Sequence, residues 1–234
     1  MARAYLSANE RREQILDRAQ ALFFSKGFDA TTVQDLMLAA GVSKGGFYHH
    51  FASKEDVLEA MSERLASVSI ALIQDVMAIP GLNAFERLDQ SLRAMRRFKK
   101  ENAKGIIAAF NTVLRAENIV LYDRINRANI RIVLPLLSAI IEEGRQDGSF
   151  NVPNARQAAQ AILALGSMLQ DAVAGALAAR NQSDRQRANA ELDSALRWQG
   201  IAIDRILGLP DGSIQYAEPG FVDALLPVDD KAGR

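Results

Sequence analysis

Cysteine is absent from the 234-residue sequence, which removes disulfides, thiolate nucleophiles and cysteine-ligated zinc from consideration. Histidine is almost absent too: the only two are neighbours, His49 and His50. Adjacent helical residues diverge by about 100° and are poorly placed to chelate one ion, so neither a metal nor another cofactor is expected. The chain also lacks net charge, with Lys+Arg and Asp+Glu at 28 each. Any nucleic-acid surface must therefore be a local patch. Long apolar runs are scarce. The stretch Ile130 to Ile141 is too short to span a bilayer and contains Arg131. The opening MARAYLSANERREQ turns charged before an apolar core can develop, so no secretory signal is expected. A cytoplasmic protein with no membrane segment is the expectation. No catalytic triad, phosphate-binding loop or metal cluster is apparent, and no enzyme activity is expected.

What the chain does contain is helical periodicity. Hydrophobic residues make up 49% of it, enough for a real core, and they recur at helical rather than alternating spacing. Ser7-Ala8-Asn9-Glu10 has the form of a capping box, followed by a stripe of Ile15, Leu16, Ala19, Leu22 and Phe23 that ends at Gly27. Thr31-Thr32-Val33-Gln34 reads as a second box, opening a short helix that stops at Gly41. Ser43 caps a third short helix, and Ser53-Lys54-Glu55-Asp56 begins a fourth that runs to about Ile79. Longer helices are expected at roughly 83–101, 105–117, 119–143, 154–180 and 185–208. Pro135 falls inside one of them and should kink it. The remainder holds Pro210, Pro219 and Pro227 and reads as an extended tail.

Residues 32 to 51 thus read as helix, Gly-Val-Ser turn, helix, the order of a helix-turn-helix. In the third helix Phe47 and Phe51 share one side and must face a core. Gly45 and His49 lie opposite, flanked by Tyr48 and Gly46, with Lys44 at the helix start. A cation, a phenol, an imidazole and bare backbone on one face suit a phosphate-lined groove. His50 falls nearer the core side, where packing or a helix-end role is as consistent as contact. Residues 1–55 carry seven Lys/Arg against six acids. Binding must depend on placement, with Arg3, Arg11 and Arg12 as possible helpers in an N-terminal arm.

The segment TTVQDLMLAAGVSKGGFYHHFASKEDVL, with ILDRAQALFFSKGFDATTV before it, resembles the DNA-binding region of the TetR family of bacterial transcriptional regulators over residues 10 to 60. The resemblance implies an all-α fold. A three-helix DNA-binding domain over 1–52 would join a larger helical effector-binding and dimerisation domain over 53–208, with the extended tail over 209–234. It implies phosphate contacts from Thr32, Tyr48 and Lys54. It places Lys44 and His49 against DNA, through base edges or phosphates. Gly45 matches the family glycine, whereas Gly46 departs from the usual threonine, serine or alanine.

The resemblance further implies a homodimer through the last two long helices and a double-stranded DNA operator. A small, largely apolar effector would be enclosed by helices around 83–143. Met95, Phe98, Phe110, Leu114, Tyr122, Ile125, Asn129 and Met168 are the candidate lining, although such a stripe suits plain core equally. Tyr122, Asn129, Gln170 and Asp171 could orient a ligand if they face inward. The leading expectation is a ligand-released repressor. The alternative is an architectural or division-linked DNA-binding protein with no effector.

Overall fold

The computed structural model describes residues 7–114, 119–218 and 220–226. Arg3, the end of the helix expected at 105–117, Pro219 and residues 227–234 of the tail lie outside the described residues. Helices account for the fold, and no strand occurs among the described residues. In chain order they are α1 (Ala8–Lys26), α2 (Val33–Ala40), α3 (Lys44–Tyr48), α4 (Lys54–Met77), α5 (Ala84–Glu101), α6 (Ala103–Val113), α7 (Ile119–Asp147), α8 (Ala155–Leu165), α9 (Gln170–Ala178), α10 (Gln182–Leu207) and α11 (Phe221–Leu225). Two compact units result, Met1–Ala66 with Lys104–Asn126 and Ser67–Ala103 with Arg127–Arg234. The domain read at 1–52 lies inside the first unit, which also takes in the first part of α4 and residues 104–126.

The first unit is built around the α1 stripe. Ile15, Leu16 and Ala19 are fully buried, one helical turn apart, and Phe23 continues the row. Against them pack Leu36 and Ala40 of α2, Phe47, Phe51, Val57 and Leu58, and then Val113, Leu121 and Ile125. Local capping sets the helix starts. Ser7 and Glu10 exchange both bonds of a capping box, with Ser7 Oγ accepting from the Glu10 amide. The second box is shifted from Thr31 to Thr32, which accepts from the Asp35 amide while Asp35 accepts from the Thr32 amide. Thr31 is instead fully buried, its hydroxyl donating to the Gly27 carbonyl at 2.6 Å.

In the second unit, α8 and α10 pack with the later parts of α4 and α7 around Ile73, Ile140, Ile141, Phe150, Ala159, Ile203 and Leu207. The Arg87 guanidinium fastens the end of α4 by donating to the carbonyls of Val76, Met77 and Ile79 and by pairing with Glu143 at 3.0 Å. It thereby satisfies last-turn carbonyls that lack partners within the helix.

Three expectations change here. The helix expected at 154–180 is broken by a 3-10 turn over Gly166–Leu169, where glycine lowers helix propensity and Ser167 Oγ donates back to the Ala164 carbonyl. The run Ala155–Ala178 is, by length and composition alone, apolar enough to cross a membrane, a longer apolar stretch than Ile130 to Ile141. The tail is not extended between Leu209 and Leu226. Ile214, Phe221 and Val222 are buried, and α11 forms. Buried Asp204 accepts the amides of Gly212 and Ile214 at 2.7 and 2.9 Å, and Asn189 Nδ2 donates to Asp223 and to the Leu226 carbonyl. Buried apolar side chains together with satisfied backbone groups fold this segment onto the body.

Candidate nucleic-acid interface

Two short helices and a three-residue turn form the candidate interface. Gly41 ends α2 in the left-handed region at φ 61°, a conformation costly for a side chain with a Cβ. Two residues later Ser43 starts α3, its Oγ accepting from the Gly46 amide at 3.1 Å. Phe47 is fully buried and Phe51 nearly so, so α3 is pinned by one face. The other face is open. Lys44, Gly45 and His49 are exposed, and the Tyr48 ring, 48% accessible, stands edge-on to Phe47 at 5.5 Å.

The charges around this face are arranged unevenly. Lys44 has no ion-pair partner among the described residues. Lys26 does, at 2.6 Å from Asp35, and that contact, followed by the Thr32 bonds, holds the Asp35 carboxyl down at about 2. Arg12 lies over the Phe51 ring, 5.3 Å from its centroid. His50, half-buried beside His49 with ring centroids 4.9 Å apart, is pushed down by burial first, then by His49, Arg12 and Arg11. Through its position over Phe51, Arg12 brings a cation of the α1 start to the segment that follows α3. Among the described residues no group of three or more metal-ligating side chains is present.

Gly46 now has a local reason. A Cβ at this position would lie 3.3 Å from the capping hydroxyl of Ser43, so glycine leaves the cap undisturbed. A Cβ on Gly45 would meet nothing within 4 Å. The protein itself gives that glycine no steric task.

Comparison with known proteins points the same way. The sequence model of bacterial regulatory proteins of the tetR family matches residues 15–61, which include α2, the turn and α3. Over that segment the chain is similar to the tetR family. The repressor KstR2 of Mycobacterium tuberculosis is 36% identical over 88 residues, 38% of this chain and 44% of that protein; the match therefore spans less than half of this relative. A TetR-family regulator from Syntrophomonas wolfei shares the fold with a TM-score of 0.60 at 23% identity, over 82% of this chain and 96% of the other. The Thermus thermophilus repressor FadR, solved with lauroyl-CoA, does so with a TM-score of 0.56 at 22% identity, over 80% and 92%.

Within the tetR-family segment, the expected DNA-facing residues divide into two groups. Lys44, Gly45, Tyr48 and His49 share the open face of α3, with Gly46 partly covered beside them. Thr32 is exposed at the start of α2, its hydroxyl donating to Asp35 at 2.8 Å while it caps the helix. Lys54 departs from the expectation of a phosphate contact. Its Nζ donates to the carbonyls of Phe28, Asp29 and Thr31 at 3.1, 3.4 and 3.3 Å and lies 4.4 Å from the Phe28 ring centroid. Because these carbonyls absorb its donors, Lys54 braces the α1–α2 connection.

The candidate effector-lining residues are distributed over both units. Phe110, Leu114, Tyr122 and Ile125 belong to the first unit, and Met95, Phe98, Asn129 and Met168 to the second. Ile125 is buried in the core of the first unit with Leu114 and Tyr122 packed against it. Phe110 is exposed and Met168 is 74% accessible, while Met95 and Phe98 are half-buried. Asn129 Oδ1 is buried without a hydrogen-bond partner among the described residues. Burial and Asp123 push the Tyr122 phenol up, so it stays neutral. Of the other polar candidates, Gln170 is half-buried and Asp171 exposed.

Sequence reasoning missed two arginines in the first unit. Arg64 of α4 grips α1 through Asp17 at 2.7 Å, Gln20 at 2.6 Å and Glu13 at 3.3 Å. Arg124 of α7 holds the first turns of α4 through Asp56 at 2.7 Å and Glu59. No local pattern signals either, because their partners are dozens of residues away.

Proposed function

We propose that the chain is a DNA-binding transcriptional repressor acting as a homodimer on a palindromic operator and released by a small, largely apolar effector. The observation that carries this reading is the two-faced α3, with Phe47 sealed into the core and Lys44, Gly45, Tyr48 and His49 left facing outward. An arrangement of cation, phenol, imidazole and close-approach backbone suits the major groove. In this reading residues 1–52 read DNA, 53–208 bind effector and pair the copies, and the protein works in the cytoplasm, where the operator is. Its role is regulatory, not enzymatic.

Two further observations support the details. The apolar run of α8 and α9 is little buried within one chain, and Trp198 of α10 is 63% accessible. A second copy would cover both, and a two-fold dimer places two recognition helices about 34 Å apart for the halves of a palindrome. The FadR structure holds lauroyl-CoA, an apolar chain on a charged carrier, which supports an effector with a large apolar part. The relatives are named as transcriptional repressors, which does not favour the architectural alternative. Footprinting on the DNA flanking its own gene, at several salt concentrations, tests the reading. A protected inverted repeat that fades with salt is expected; no protection at low salt refutes it.

A further inference from the structure

The interior of the second unit holds a guanidinium whose donors are mostly unused. Arg96 of α5 is only 6% accessible. Its Nη1 donates to the Gln215 carbonyl at 2.6 Å, yet Nε and Nη2 have no hydrogen-bond partner among the described residues. The nearest carboxylate, Glu218, is 3.7 Å from Nη2, beyond hydrogen-bond reach, and its side chain is half-exposed. A buried guanidinium normally satisfies its planar fork of donors.

Three other groups share this environment. Lys99, one turn further along α5, is accessible to solvent, but burial first and the Arg96 charge second push its amine down. Tyr216 packs over Gly200 of α10, its Cβ 3.2 Å from where a Gly200 Cβ would be. Burial pushes its phenol up, against a Gln199 hydrogen bond and the Arg96 charge, which sets the ring between the two helices. Gln199 Oε1 is itself buried without a partner among the described residues. Arg93 is tied to Asp89 at 2.8 Å. Asp89 is thus taken by Arg93, and Glu218 faces Arg96 without hydrogen-bonding it. Met95 and Phe98 flank Arg96 on the same helix, half-buried.

We propose that Arg96, with Lys99 and Tyr216 beside it, receives a single negative charge carried at one end of an otherwise apolar effector. Arg96 supplies the fork that suits a carboxylate, and Lys99, one turn further along α5, adds a second cation. The inference rests on reading the second unit as the effector-binding part, and it sharpens "largely apolar" to an amphiphilic monoanion.

Titration calorimetry of the full chain with decanoate and with decan-1-ol separates the charge from the chain. Decanoate should bind at least about tenfold more tightly, as a charge-assisted contact requires. Lys99→Gln leaves the Arg96–Gln215 contact in place and should weaken decanoate by about tenfold without changing decan-1-ol. Arg96→Lys keeps the charge and should lose less than Arg96→Met. Equal affinity for the two ligands would overturn the anion site and leave the apolar-effector reading standing. Binding of neither would also overturn it, while release of operator DNA by any other metabolite would still uphold the effector reading.

Discussion

Gly45→Ala tests the interface most directly, because it separates what α3 needs for folding from what it needs for DNA. Gly45 is exposed, its backbone is not in the left-handed region, and an added Cβ would touch nothing within 4 Å. Alanine should therefore fit without strain and gain helix propensity. The full glycine-to-alanine difference is about 1 kcal/mol in a helix interior, and less near an end, so a gain of about 0.5–1 kcal/mol is expected. For a chain of this size that raises the melting temperature by about 1–4 °C. The same methyl would project from the face that holds Lys44 and His49. If backbone approaches DNA closely here, operator affinity should fall at least about tenfold, about 1.4 kcal/mol. Thermal melts without DNA and fluorescence anisotropy with operator duplex read the two effects separately. A more stable protein with unchanged operator affinity would refute the assignment of Gly45 to the interface. An unchanged or lower melting temperature would refute the claim that the protein has no internal use for this glycine. Gly46→Ala is the control: its Cβ would press on the Ser43 cap at 3.3 Å, so its stability gain should be smaller.

Other perturbations test the scaffold. Arg64→Ala removes the contacts from α4 to Asp17, Glu13 and Gln20 and should destabilise by about 1–2 kcal/mol, the scale of a partly exposed network, read as a lower urea midpoint. Gly144→Ala would place a Cβ 2.0 Å from Phe150 Cδ2, and this overpacking should cost about 1–3 kcal/mol, again read as a lower urea midpoint at unchanged slope. Asp35 titrates at about 2 against an ordinary 3.8, chiefly because of Lys26; a lowered carboxyl value contributes stability that is complete above 3.8 and is lost as pH falls toward 2. Acid melts should show that loss in the native sequence and a shallower one in Asp35→Asn.

The helix-turn-helix segment was legible because its determinants are local. Ser7 with Glu10, Ser43 with Gly46 and Gly41 in the left-handed region all act within four residues, and the Ile15–Leu16–Ala19–Phe23 stripe declares its buried face by spacing alone. The one local error, Thr31 for Thr32, arose where adjacent threonines offered two registers and only burial chose between them. The distant contacts were not legible. Arg64, Arg124 and Lys54 read as ordinary helix cations, and only folding shows that Lys54 reaches the Phe28 carbonyl across 26 positions. Ile125 and Met95 could not be told apart by sequence, since aliphatic residues at helical spacing look the same in a core and beside a cavity. The break at Gly166 was equally hidden, because the apolar pattern continues through it.

The segment after Leu209 shows how far such hidden contacts reach. Asp204 is fully buried with no ion-pair partner among the described residues, and desolvation pushes its carboxyl up despite the amides of Gly212 and Ile214. An acid in that position is tolerated because it replaces partners those amides would otherwise lack, which makes it a fastening for the chain that follows. Asn189 repeats the device further along α10 by holding Asp223 and Leu226. Between the two fastenings this segment reaches α5, where the Gln215 carbonyl takes the hydrogen bond that Arg96 makes among the described residues. An anion drawn onto Arg96 would share that guanidinium with Gln215. A change there acts on a segment fastened at both ends to α10, the helix proposed to pair with the second copy. The segment after Leu209 thus gives a covalent and hydrogen-bonded route from the proposed anion site to α10.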